Sequence, residues 1–395
     1  MIRVALRIGF ALVLVLAASV GAGAAPERAR PNILFIITDD QDLAELGYLQ
    51  GRALTPNIDR LAMGGIRFNR AYVATSICTP SRYSCLTGQY ASRSCSQWFE
   101  REITAEGVTR VLWNIGLTPG QPTLPKVLRA SGYRTGFVGK WHIGGMSGMK
   151  RVEKGADPAD PEVRALLEEN QRRAAEILRG YGFDFAKSIY MGNPNDDRSL
   201  VNCGMNVHNM EWLTQAGLEF IDENRDAPFF LYFSTTLTHV PKPLDSLRGD
   251  PRASGVGLLD EPISGVQPSR ESVMRRCQEA GVPEALWAAT WLDDGIGALV
   301  DRLDRHGLLE NTLIFYFVDN GMAEHAKGTC YEGGLIVPTF VHWKGHIEPA
   351  ESDVMIQNID FTPTILDAAG VPPPEDMVID GMSFLPLLRG EPFEG

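Results

Sequence analysis

Two short acidic clusters, Asp39-Asp40 and Asp319-Asn320, offer oxygen ligands of the kind a hard cation binds. Carboxylates with an amide oxygen, and no zinc-type cysteine or histidine spacing around them, suit Ca²⁺ or Mg²⁺. Each cluster taken alone is an ordinary strand-end turn: Asp-Asp is common in solvated turns, and Asn320-Gly321 tolerates positive φ. Between them lies the run Cys78-Thr79-Pro80-Ser81-Arg82. Pro80 suits the first helical position with Thr79 as its N-cap, which puts Cys78 just before a helix N-terminus. Free N–H groups and the helix dipole favour an anion there. Arg82, in the first turn, can aim a planar fork of donors at the same anion. A lone cysteine is ordinarily an inert core thiol, so its neighbours must make the case.

The elements that precede these clusters give them weight. Residues 33–38 form a continuous apolar run with β-branched members, as a buried parallel strand does, and it ends at Asp39. Residues 313–318 end the same way at Asp319. Further strands are predicted at 135–138, 229–234 and 337–342, and helices at 122–131, 161–180, 209–224, 283–306 and 362–370. The alternation predicts an α/β fold: a large, mostly parallel sheet sandwiched by helices. Both acidic clusters then fall at the C-terminal edge of one sheet, the usual ligand crevice of such folds. Residues 155–207 and 241–281 read as insertions over the sheet. There is no internal repeat and no low-complexity tract.

Cys78-Thr79-Pro80-Ser81-Arg82 with Leu86-Thr87-Gly88 resembles the maturation signature of the formylglycine-dependent sulfatases. The stretch Gly132-Tyr133-Arg134-Thr135-Gly136-Phe137-Val138-Gly139-Lys140-Trp141-His142 resembles their second signature along its whole length. Asp39-Asp40, His239 in Thr238-His239-Val240-Pro241, Asp319-Asn320-Gly321, Lys327 and Glu332-Gly333-Gly334 follow in the family's order, so the resemblance runs from about residue 31 to 388. Two positions depart from the pattern. Cys85 stands where a large aliphatic residue is usual, and Ile336 where an Arg is frequent.

The resemblance implies an alkaline-phosphatase-like fold and a sulfuric ester hydrolase. Cys78 is then the precursor of a formylglycine nucleophile. Asp39, Asp40, Asp319 and Asn320 hold one Ca²⁺ per chain, with the modified Cys78 completing its shell. Metal and Arg82 activate one hydroxyl of the hydrated aldehyde. Lys140 and Lys327 bracket the sulfate, His239 protonates the departing oxygen, and His142 takes the proton of the second hydroxyl so that sulfate leaves. His208 and His325 also fall in candidate loops, but are expected to be ordinary histidines.

The chain has 395 residues and a formal net charge of -12, which argues against a nucleic-acid partner. An acidic total still permits an anionic substrate, since a local group of Lys, Arg and metal can reverse the field inside one cleft. Arg3 and Arg7, the apolar run 8–20 and the small residues 21–25 describe a secretory leader, so residues 1–25 are expected to be removed and the protein exported. That run is shorter than the roughly 20 apolar residues a membrane span needs. Residues 26–395 are expected to form one catalytic domain, stopping short of the small antiparallel subdomain with which sulfatases generally end. Six cysteines, at 78, 85, 95, 203, 277 and 330, leave disulfide pairing open. The expected substrate is a sulfated carbohydrate and the expected partner a formylglycine-generating enzyme. Two other readings stay open: a phosphonate or phosphodiester hydrolase with the same nucleophile, and a non-catalytic sulfoglycan-binding or inactive homologue.

Overall fold

The structure, a computed structural model, describes residues 30–145 and 148–393. The expected leader lies outside the described residues. Eight strands make one sheet: β1 (Asn32–Thr38), β2 (Ile66–Phe68), β3 (Arg134–Lys140), β4 (Phe185–Tyr190), β5 (Phe229–Ser234), β6 (Thr312–Val318), β7 (Thr339–His342) and β8 (Ala350–Ser352). Their order is β8-β2-β7-β6-β1-β5-β3-β4. The run β6-β1-β5-β3-β4 is parallel throughout, whereas β7 runs against both of its neighbours. The sheet is therefore mixed and mostly parallel, as expected.

Alternate residues of the central strand feed two separate cores. Ile33, Phe35 and Ile37 of β1 pack with Tyr83 and Leu86 of α1 (Cys78–Thr87), Leu128 of α2 (Leu124–Ala130) and Leu178 of α3 (Pro161–Gly180). Leu34 and Ile36 face Phe220 of α4 (Met210–Glu223), Val273 of α5 (Arg270–Glu279) and Trp291 of α6 (Trp287–Arg305). A further helix, α7 (Phe361–Ala368), returns to the first face, where Phe361 meets Phe35 edge-on with centroids 5.8 Å apart. A strand covered on both faces has to be apolar at every position, and this produces the unbroken run at 33–37. Each such side chain contributes about 1.5–3 kcal/mol on burial.

The region 155–207 is more than an insertion. It supplies α3 and then the edge strand β4, whose residues Phe185-Ala186-Lys187-Ser188-Ile189-Tyr190 are half exposed at their start and lack an unbroken apolar run. Within 241–281 lie α5 and a short hairpin, Ala253–Ser254 with Gly257–Leu258. Among the described residues no helix is long and apolar enough to cross a membrane.

Candidate active site at the C-terminal edge of the sheet

Four adjacent parallel strands, β6, β1, β5 and β3, end at the same edge, and each delivers polar residues there. Strand β1 runs into Asp39-Asp40, β6 into Asp319-Asn320, β3 ends on Lys140, and β5 leads through Ser234 to His239. The register pairs Thr38 with Val318, so the two acidic clusters leave the sheet at one level. Lys140 reaches this level through a break in the ladder between Val138 and Gly139. Gly139 has φ of 100°, and a Cβ there would fall 1.7 Å from Ser234 O, so only glycine fits.

Asp39, Arg82, Lys140 and Asp319 are all fully buried. Arg82 donates from Nε and Nη2 to Asp319 Oδ2 at 3.0 and 2.8 Å. Lys140 Nζ donates to Asp39 Oδ2 at 2.6 Å and to Asn193 Oδ1. Lys327 Nζ donates to both oxygens of Asp40, and His239 Nε2 stands 3.3 Å from Asp40 Oδ2. The amide of Asp40, which has φ of 54°, donates to Asp319 Oδ1 at 3.2 Å. Three carboxylates thus interlock with three cations from separate elements.

Burial alone would push Asp319 up, but Arg82, Lys140 and Lys327 hold it well below the usual carboxylate range. For Asp39 burial wins over the opposing pull of Lys140, and its carboxyl is pushed up to about 6. Burial works against the Lys327 ammonium, yet Cys78, Asp40 and Asp319 hold it above its ordinary range. Burial, with Lys140 and Arg82 close by, keeps His142 well below its usual value, so its ring is neutral and can accept a proton.

The donor set fits a hard cation. Asp39 Oδ1 and Asn320 Oδ1 are buried acceptors without a hydrogen-bond donor; Arg82 Nη2 lies 3.6 Å from the former, too far to donate. Unmet buried oxygens are costly unless something positive meets them. Asp39, Asp40, Cys78 and His239 each present a ligand atom within 4.8 Å of the others. Asp319 lies outside that tight group, because Oδ2 serves Arg82 and Oδ1 serves the Asp40 amide.

Comparison with known proteins follows the same outline. A family model described as Sulfatase matches residues 31–371. The chain belongs to the sulfatase family. Human arylsulfatase A is 30% identical over 409 residues, covering 94% of this chain and 70% of that protein. The N-acetylgalactosamine-6-sulfatase of Canis lupus familiaris is 28% identical over 418 residues, covering 99% and 72%. Among solved structures, the phosphonate monoester hydrolase of Agrobacterium radiobacter shares the fold with a TM-score of 0.61 at 19% identity, over 93% of this chain and 78% of that one.

As a member of that family the chain is an enzyme, and its helix α1 departs from expectation in one detail. Helix α1 begins at Cys78 itself, with extended Ile77 (φ -140°, ψ 138°) as its N-cap and no side-chain cap. Pro80 therefore occupies the third helical position, where its missing N–H is as harmless as at the first. The N–H of Ser81 is the first to bond back, to Ile77 O at 3.1 Å. Cys78 is 1% exposed, and burial pushes its thiol up to about 11.

All six cysteines are free thiols. Cys85 is fully buried and receives Asn358 Nδ2 at 3.7 Å, so its departure from the family pattern is a packing change. Ile336 makes an isolated bridge to Tyr72. His208 is a satisfied core histidine, pushed down to about 4 by burial. Its neutral ring donates from Nε2 to Pro241 O at 2.8 Å and accepts at Nδ1 from the Thr236 hydroxyl at 2.7 Å. It braces the loop that presents His239. His325 is exposed, with φ of 58°.

Sequence reasoning missed two residues of the cluster. Ser234 accepts from Arg82 Nη1 and donates to Lys140 O at 2.8 Å. Asn193 joins Lys140 to Asp196, donating from Nδ2 to Asp196 Oδ2 at 2.7 Å. The signal for Asn193 was the turn-rich run Asn193-Pro194-Asn195-Asp196-Asp197, which gains meaning only once β4 before it is recognised as a strand.

Proposed function

We propose that the chain hydrolyses sulfuric esters of a sulfated carbohydrate, releasing inorganic sulfate, with a formylglycine made from Cys78 as nucleophile. The observation that carries this reading is the placement of Cys78 at the first position of α1, within ligand distance of Asp39 and Asp40. An unmodified thiol pushed up to about 11 is protonated at neutral pH and a poor nucleophile, which favours the oxidised residue as the reacting species. Formylglycine supplies the attacking hydroxyl as an aldehyde hydrate. Asp39, Asp40, Asp319 and Asn320 would hold a Ca²⁺, which would supply positive charge beside it.

The chain's own residues do the rest. Arg82 is locked between Asp319 and Ser234, so its charge stands fixed beneath the nucleophile. Lys140 and Lys327 bring ammonium groups from two sides to the place of the sulfate, where fixed charge costs no reorganisation. His239 stands beside the cluster with Nε2 3.3 Å from Asp40 Oδ2, placed to protonate the leaving oxygen. Neutral His142 takes the proton of the second hydroxyl. Export and a formylglycine-generating partner enzyme belong to the same proposal.

The test is sulfate release measured by ion chromatography on sulfated monosaccharides with Ca²⁺ present. Cys78→Ala should abolish it, and full release from that variant would sink the reading. A second reading, phosphonate or phosphodiester hydrolysis, is favoured by the fold shared with the phosphonate monoester hydrolase. Turnover of aryl sulfate against aryl phosphonate separates the two.

A further inference from the structure

A cavity of about 490 Å³ opens beside the nucleophile, and its lining includes Thr79, Trp98, Trp113, His142, Met191 and Asp196. It sits beyond the ends of β3 and β4, outside the charged cluster but sharing His142 with it. Two features of its wall ask for a ligand. Trp98 and Trp113 are 57% and 52% exposed, although tryptophan is highly buried on average. Thr79 Oγ1 and His142 Nδ1 are buried polar atoms without a hydrogen-bond partner. Thr79 is 1% exposed, follows Cys78 directly and belongs to the cavity wall.

We infer that this cavity is the subsite for the sugar from which the sulfate is removed, and that its occupant is a single pyranose ring seated on Trp98 and Trp113. The inference rests on the sulfate-ester reading given above and names the substrate class within it. A pyranose presents C–H groups on its faces and hydroxyls around its rim. The indole faces, negative at the centre, suit those C–H groups. The rim meets Thr79 Oγ1, His142 Nδ1 and Asp196, hydrogen-bonding groups that a flat aromatic alcohol could not satisfy. Asp196 is held by Asn193 through Oδ2 alone, which leaves Oδ1 to accept from a hydroxyl. The same Asn193 takes the ammonium of Lys140, so one side chain sets the spacing between the sulfate-side charge and the sugar-side carboxylate. Mixed apolar platforms with a few convergent polar groups are how small-molecule sites gain both affinity and orientation.

The experiment is calorimetric titration of the full chain in a Cys78→Ala background, where a bound ester persists, with N-acetylgalactosamine 6-sulfate and with inorganic sulfate. Trp98→Ala with Trp113→Ala should weaken the sulfated sugar about tenfold or more, the scale of two lost ring contacts, while inorganic sulfate affinity stays within about twofold. Trp→Phe at both positions should restore part of the loss, and Asp196→Ala, an exposed change safe for folding, should weaken the sugar about fivefold. Sugar affinity unmoved by the tryptophan changes would overturn the subsite. If the background binds sulfate but gains nothing from the attached sugar, the subsite alone falls. If it binds neither, the sulfate-ester reading falls and takes the subsite with it.

Discussion

Two charged clusters lie at opposite edges of the sheet, and they differ in how far water reaches them. One lines a cavity of about 580 Å³ with Arg60, Asp301, Asp304, His342 and Lys344 at the end of antiparallel β7, away from the strand ends that hold Asp39 and Asp319. Its ion pairs are loose and wet: Arg60 and Asp301 stand 3.8 Å apart with side chains 61% and 56% exposed, and Lys344 lies 3.7 Å from Asp304. At the other edge Arg82, Lys140, Asp39 and Asp319 have no exposed surface at all. Solvated pairs of the first kind contribute little. Buried charges of the second kind are costly to assemble and persist where a reaction uses fixed charge. The buried cluster is therefore the one we propose as catalytic.

Breaking one pair at each edge should expose the contrast. Arg82→Met leaves Asp319 and Asp39 buried without their guanidinium, and denaturant titration should show a loss of about 3–5 kcal/mol together with loss of sulfate release. A loss under about 1 kcal/mol would show that the buried network is not structural. A third site sharpens the point by removing the cations. Asp293 in α6 is buried against amide groups, accepting from Ile58 N at 2.7 Å, Asn57 N at 3.2 Å and the Asn57 side-chain Nδ2 at 2.8 Å, and burial pushes it up from 3.8 to about 7. Its folded form holds a proton that the unfolded chain has released, so its stabilising contribution is full below about pH 4 and is lost as pH rises through about 7. Asp293→Asn should flatten that part of the profile between about pH 4 and 7, read as urea midpoints; an unchanged slope would assign the dependence elsewhere. Smallest of all, Arg60→Met at the far cavity should move stability by no more than about 0.5 kcal/mol.

Much of this edge could be read from the chain because its strands are extreme cases. β1, β5 and β6 are covered on both faces, so burial forces apolar residues at every position and the acidic clusters stand out at their ends. Edge strand β4 escaped for the opposite reason: it is partly exposed, contains Lys187 and Ser188, and has no periodicity to mark it. With β4 unseen, Asn193 looked like a loop residue rather than the partner of Lys140. The three-residue strands β2 and β8 are too short to leave a pattern. The start of α1 was placed late because proline is accommodated anywhere in a helix's first turn, and only the extended backbone of Ile77 fixes the cap. The family's ordered motifs pointed to the site residues, but their interlocking by hydrogen bonds across four strands is a property of the register alone.

Cys78 remains the residue on which the functional account turns. Mass spectrometry of the peptide containing it, taken from protein that releases sulfate, tests that account most directly. Conversion of the thiol-bearing side chain to an aldehyde lowers the peptide mass by about 18 Da, a covalent change that alters the chemistry of the site. The account predicts that loss in the active protein; an unmodified Cys78 thiol in a preparation that hydrolyses sulfate esters would contradict it.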